Sequence, residues 1–473
     1  MTTTALDGRK VSAVAPFRRE PEGVLHAEMI PSACPDPKLA ADMRRDPYWD
    51  RLWAPGSQAV WTTAAMARQR AGDATAGLRK EMQLNQDEAL EKLMHGYNWK
   101  EKLACWAVLD SWRTVTAEQM AAITGRSYLA DENGSTVAAS FALGLMDIGT
   151  FRDPLAIRTS RRGALYRPAH PDAFENLIRP RLTWPEELSV TGGTEWSNVG
   201  LHDRHNVLAT ELCLRAAEYL PLGAVLGEKY ATVDLLAGSG LGKKLPETYQ
   251  RRADGVLVRA DGLRIAVELT ATTGDSFKNK VRKWAQLMTE RPLETSGLTV
   301  LFVAAPHPDR TAGGKDPRAG IYRTLAEVLR SFPGTGEDSP ASRIGVANWE
   351  EWFPGRHLMS EAFFTLRADF ALNDAKGPGK WASRELLGDY PFTPWETFDA
   401  TAVIENAPLL AATPYWMRNG DHTRLIGSPS SRAGSRLVHK SPARPEKTKG
   451  RALGEAVGAA GKAKLPERLR ITG

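Results

Sequence analysis

The acidic residues Asp254 and Glu268 and the basic residue Lys280 lie close together, in RRADGVLVRADGLRIAVELTATTG and the SFKNKVRKW that follows Asp275. Two carboxylates within a few ångströms of each other repel, so a site that keeps both ionised needs a neutralising partner. Carboxylate oxygens are hard donors, and magnesium suits such an oxygen-only set. An ion held there activates water and steadies the leaving oxygen in phosphodiester hydrolysis, while an ammonium stabilises charge on the scissile phosphate. Asp254 and Glu268 are therefore candidate catalytic residues and metal ligands, with Glu211 or Glu228 as a further carboxylate. The competing reading leaves Lys280 on a solvated helix face beside an inert scaffold.

Register decides whether the carboxylates meet. Val256 and Val258 alternate on one side of Asp261 and Gly262, and Ile265, Val267 and Leu269 alternate on the other, which predicts a β-hairpin. A three-residue loop, Ala260, Asp261 and Gly262, with Gly262 left-handed, sets Asp254 opposite Glu268. A two-residue turn pairs Asp254 with Leu269 instead and sends the carboxylates to opposite faces. Around the hairpin, HDRHNVLATELCLRAAEYL reads as a helix ended by Pro221, a strand follows near Gly223 to Tyr230, SFKNKVRKWAQLM reads as a basic helix, and LTVLFVAAP as a buried strand. The order is helix, strand, strand, strand, helix, strand. The loop AGSGLGKK between them is no phosphate-binding loop, because Ala237 stands at the first glycine position and Lys244 at the hydroxyl position. His202 and His205 suit capping or core roles better than metal ligation.

Upstream, WKEKLACWAVLDSWR predicts an amphipathic helix, and TAEQMAAITG a second one capped by Thr116 with Gln119 and stopped by Gly125. STVAASFALGLMDIGTF reads as a third helix with Val137, Phe141, Leu145 and Ile148 turned inward. As a recognition helix it would offer Asn133, Ser135, Thr136 and Ser140 to DNA bases. Two short strands, around Ala156 to Thr159 and Ala164 to Arg167, then form a wing tipped by Ser160–Arg161–Arg162–Gly163. Arginine forks suit phosphate oxygens, so Arg158, Arg161, Arg162 and Arg167 join Thr136 and Ser140 as candidate DNA-binding residues. A winged helix that docks a protein is the alternative.

The chain has 473 residues, 42 % of them hydrophobic, which is too many for one ordinary core. Its net charge of +6 permits a nucleic-acid partner without requiring one. The basic excess gathers in residues 428–473, a tail poor in apolar residues that reads as disordered. Residues 1–61 form an extended arm whose Tyr48, Trp49, Trp53 and Trp61 are expected to anchor it to a domain surface rather than stack on bases. Three scattered cysteines point away from a disulfide framework and a zinc site. With no apolar run long enough for a membrane span and no signal-peptide pattern, a cytoplasmic protein is expected.

The helix and strand order, with Asp on the second strand and Glu within the third, resembles the PD-(D/E)xK nuclease superfamily, although the lysine two residues after the Glu is replaced by Thr270. The resemblance implies Lys280, on the next helix, as the catalytic cation in the migrated lysine position. Together with RRGALYR, HDRHN, RRADGVLV, AVELT and KVRKW, the pattern resembles the replication-relaxation family over roughly residues 99 to 305. The resemblance implies an α/β chain: a helical winged-helix module followed by an αβββαβ nuclease-like domain with flexible termini. It also implies DNA binding in plasmid or mobile-element replication and DNA relaxation, beside a replication initiator or relaxase. The boundaries that follow are a 1–61 arm, a 62–98 helical lead-in, a 99–170 winged helix, a 171–199 linker, a 200–355 nuclease-like domain, a 356–427 aromatic-rich extension and a 428–473 tail. A partner-binding scaffold on a degenerate nuclease fold remains the alternative.

Overall fold

The computed structural model describes Thr3–Thr4, Lys10–Ser12 and residues 19–418, apart from 51, 54–57, 72–79, 96–97, 132–133, 153–163, 197–201, 232–251, 293–294, 308–315, 335, 337–338, 375–376, 389 and 393–399. The fold is mixed α/β. In the first unit, strand β1 (Gln58–Thr62) leads into helix α1 (Ala64–Gln69), whose cap Thr63 accepts from the Met66 amide. Helix α2 (Gln86–Met94) starts at a capping box of Asn85 and Glu88. Helix α3 (Trp99–Trp112) is followed by β2 (Val115–Thr116) and α4 (Ala117–Thr124), which has the expected box of Thr116 and Gln119 and stops at Gly125 with φ of 75°. Helix α5 (Ser135–Leu143) precedes β3 (Met146–Arg152) and β4 (Ala164–Pro168), and the four strands form an antiparallel sheet in the order β1-β3-β4-β2.

The third helix is shorter than expected. Gly144 adopts φ of 82° and the Leu145 amide donates to the Ser140 carbonyl at 2.9 Å, a left-handed cap that ends α5. Leu145 and Ile148 are buried as expected, but Ile148 lies on a strand, where alternation serves as well as helical spacing. The strand paired with β4 is Met146–Arg152, and the strand expected around Ala156 to Thr159 lies outside the described residues. The expected linker also carries structure: α6 (Trp184–Thr191) begins at a capping box of Thr183 and Glu186, and Trp99 donates its indole N–H to Glu186 at 2.7 Å. This segment packs on α3, and its Trp184 and Leu188 are buried in a cluster with Leu409.

The second unit follows the expected order: α7 (Asp203–Tyr219), β5 (Leu222–Gly227), β6 (Gly255–Arg259), β7 (Arg264–Thr270), α8 (Asp275–Glu290) and β8 (Leu298–Ala304). It continues through α9 (Arg318–Leu329), β9 (Ile344–Asn348), β10 (Arg367–Asp374) and β11 (Gly377–Glu385). All these strands join one nine-stranded sheet, completed at its far edge by Lys10–Ser12 and Thr3–Thr4. One expectation changes here: the stretch from 356 is no appendage, since it supplies β10 and β11, while WEEW after Asn348 forms a helical turn behind β9. Strands β7, β8 and β9 run parallel and β5, β6, β10 and β11 antiparallel to their neighbours. Both faces of the centre are covered, which accounts for the unbroken apolar runs. Leu257, Ile265, Val267 and Leu301 pack in one cluster with Leu208 and Leu212 of α7. Val256, Ala266, Val300 and Phe302 pack in the other with Val281 and Trp284 of α8 and Leu325 of α9.

The N-terminal aromatics anchor rather than reach out. Tyr48 stacks on Trp349 at 5.6 Å, Trp49 donates to the Phe353 carbonyl, Trp53 meets Phe151 edge-on and Trp61 donates to Asp203. Beneath them, buried Arg44 pairs with Glu211 and Glu218, and Arg215 pairs with Asp46 and Glu211. Among the described residues no helix is long and apolar enough to cross a membrane, and Cys34, Cys105 and Cys213 are buried and free.

Candidate active site

The hairpin takes the three-residue loop. The Arg259 amide donates to Leu263, the Gly262 amide donates to Arg259, and Gly262 has φ of 96°. Val258 pairs with Arg264 and Gly255 with Val267, so the next step brings Asp254, at the bend before β6, alongside Glu268. The Asp254 amide donates to the Val267 carbonyl at 2.9 Å, and its carboxylate Oδ2 accepts from the Leu269 amide at 2.6 Å. A side-chain oxygen thus takes over a backbone partner where the ladder stops, which fixes the carboxylate against β7.

Glu268 is fully buried on the α8 side of the sheet. Lys280 Nζ donates to its Oε2 at 2.5 Å and Trp284 Nε1 donates to its Oε1 at 2.8 Å. These donors are four positions apart on α8, hence on one helix face, and α8 supplies both because its apolar stripe Phe277, Val281, Trp284 and Leu287 sits on the sheet. Burial pushes the Glu268 carboxyl above the usual range; Lys280 opposes this and the charge of Asp254 adds to it. Asp254, Glu268 and Lys280 are therefore brought together.

Glu228, just after β5, borders the same group. Asn206 donates to it at 2.6 Å and Arg252 approaches at 3.8 Å. Burial raises its carboxyl; Arg113 and Arg252 oppose, while Asp254 raises it further. His205, in the first turn of α7, is pulled down to about 4 by burial and then by the charges of Arg204, Lys280 and His202, so it is neutral at physiological pH. Glu211 does not belong here, because Arg44, Arg215 and Gln119 hold it within the ion network under the arm. Among the described residues no three His, Cys, Asp or Glu side chains converge as a metal-binding group.

The DNA-binding residues fare differently. Thr136 and Ser140 are 4 % and 0 % exposed, and Ser140 accepts from the Trp106 indole at 3.2 Å. Helix α5 lies under α1, α2 and the turn Lys80–Gln83, so neither residue is presented to DNA. The sequence carries the reason: VAASFAL is apolar on every side, the mark of a buried helix rather than a groove-reading one. Arg167 pairs with Asp147 at 3.1 Å and lies over the Trp61 ring at 4.0 Å. Arg158, Arg161 and Arg162, with Asn133, lie outside the described residues, although the paired ends of β3 and β4 bracket the three arginines. Sequence reading passed over Asn206, Arg252 and Trp284; the four-residue spacing of Lys280 and Trp284 was the available signal for the last.

No family model, no curated protein and no solved structure matches this chain.

Proposed function

We propose that this chain is a DNA-binding protein of plasmid or mobile-element replication and DNA relaxation, and that its β6–β7 hairpin carries a magnesium-dependent nuclease site of the PD-(D/E)xK type behind a winged-helix module. One observation carries the reading: the register that brings Asp254 beside buried Glu268, with Lys280 of the following helix on the Glu268 oxygen. A carboxylate pair in which the charge of Asp254 raises the proton affinity of buried Glu268 suits a hard divalent cation, and its oxygen-only donors suit magnesium. Asp254 and Glu268 would hold that ion, which supplies charge neutralisation and water activation. Trp284 keeps one Glu268 oxygen in place, and the backbone of β7 orients Asp254. Lys280 is 29 % exposed, and its flexible stem lets the ammonium pass from Glu268 to a phosphate oxygen. In DNA binding, Arg158, Arg161 and Arg162 take the phosphate contacts.

The test is nicking of supercoiled plasmid by purified protein with magnesium. Glu268→Gln should abolish nicking and leave duplex binding intact; nicking that survives the substitution overturns the assignment. A second reading, an inert scaffold that docks a replication initiator or relaxase, draws on the fact that both Glu268 oxygens already have protein donors. Failure of the unmodified protein to nick would favour it.

A further inference from the structure

The cations around the carboxylates are held to different degrees. Lys280 is in direct contact with Glu268 at 2.5 Å, and Arg113 is fully buried. Arg252, two residues before Asp254, is only 3.8 Å from Glu228 Oε1, beyond a good hydrogen bond, and its side chain is 29 % exposed. Asn206 meanwhile grips Glu228 at 2.6 Å, so the acid is fixed and the arginine rests loosely against it. Leu269 and Thr270, which follow Glu268 on β7, bring no positive charge to the group.

We propose that Arg252 is a phosphate-binding residue that seats a non-scissile phosphate of a DNA strand beside Asp254 and Glu268. The inference rests on the nuclease reading of that site. The planar guanidinium donates two parallel hydrogen bonds to phosphate oxygens, a geometry that lysine does not reproduce. Its loose pairing with Glu228 makes the exchange of carboxylate for phosphate inexpensive, and its 29 % exposure leaves the fork accessible to a strand beside the carboxylates.

The experiment measures binding of a short DNA duplex across a salt series without magnesium, so that no cleavage intervenes, for the parent, Arg252→Gln and Arg252→Lys. Each phosphate contact contributes about 0.9 to the slope of log affinity against log salt. Arg252→Gln should lower the slope by about one and weaken low-salt binding about ten-fold. Arg252→Lys should keep the parental slope with weaker binding. A folded Arg252→Gln protein with the parental slope overturns the proposal. Should Arg252→Gln not fold, Arg252→Lys decides, and parental affinity in that variant overturns it. A parent with no salt-dependent binding overturns it as well. Plasmid nicking is read separately: an Arg252-dependent slope without nicking sinks the nuclease reading and keeps the phosphate site, whereas nicking with an Arg252-independent slope sinks the phosphate site alone.

Discussion

Lys280→Met separates the roles of the α8 cation. In the parent, fully buried Glu268 has two donors, Lys280 at 2.5 Å and Trp284 at 2.8 Å, and Asp254 as an unfavourable neighbour. Breaking a fully buried pair costs about 3–5 kcal/mol. Lys280 is 29 % exposed, so solvent screens part of its interaction, and Glu268 is already inclined to take up a proton; the discounted cost is about 1–3 kcal/mol at neutral pH. Activity should fall further than stability, by about 10²–10³ in single-turnover nicking, the scale for loss of one preorganised charge stabiliser. The sign of the pH dependence follows from the raised Glu268 carboxyl. The folded state binds that proton more tightly than the unfolded chain, so stability is lost as pH rises from the ordinary carboxylate value through the raised one. Removing Lys280 extends that loss upward, and the gap between parent and variant should close in acid, where Glu268 is protonated in both states. Urea unfolding at neutral and acidic pH, with nicking measured at neutral pH, reads all three effects. Parental stability together with parental nicking would refute the reasoning, and an equal stability gap at both pH values would refute the electrostatic account.

Lys229, after β5, pairs in the interior with Asp110 of α3, and burial pulls its ammonium down to about 8. Its share of stability should rise with pH between that value and the ordinary 10.5, because the unfolded chain keeps a proton that the folded state releases. Lys229→Met should erase this part of the urea-derived pH curve and cost about 3–5 kcal/mol at neutral pH by stranding Asp110. At Gly227 an added Cβ would lie 2.7 Å from the Ser111 carbonyl and 2.9 Å from Trp112. Gly227→Ala should therefore destabilise by about 1–3 kcal/mol, read as a lower urea midpoint with unchanged m-value.

The hairpin and the helix and strand order around it were legible in the sequence because their causes are local, whereas the choice between a two- and a three-residue loop was left to the structure. Alternating apolar residues set the strands, Gly262 supplies the left-handed turn position, and one residue's difference in loop length settles which side chains face each other. The same local chemistry placed the caps at Thr116 and Gly125. What lay beyond the sequence was set by partners distant along the chain. The cover of α5 by α1 and α2 is one such partnership, although the apolar run VAASFAL already marks a buried helix. Glu211 looked as eligible as Glu228, but Arg44 and Arg215 claim it, whereas Glu228 lies beside Asp254. Strands β10 and β11 had no strand reading in the sequence, and sheet pairing places them between β9 and Lys10–Ser12. Lys280 was one basic residue among several on α8; the burial of Trp284 turns its helix face, and with it the ammonium, onto Glu268.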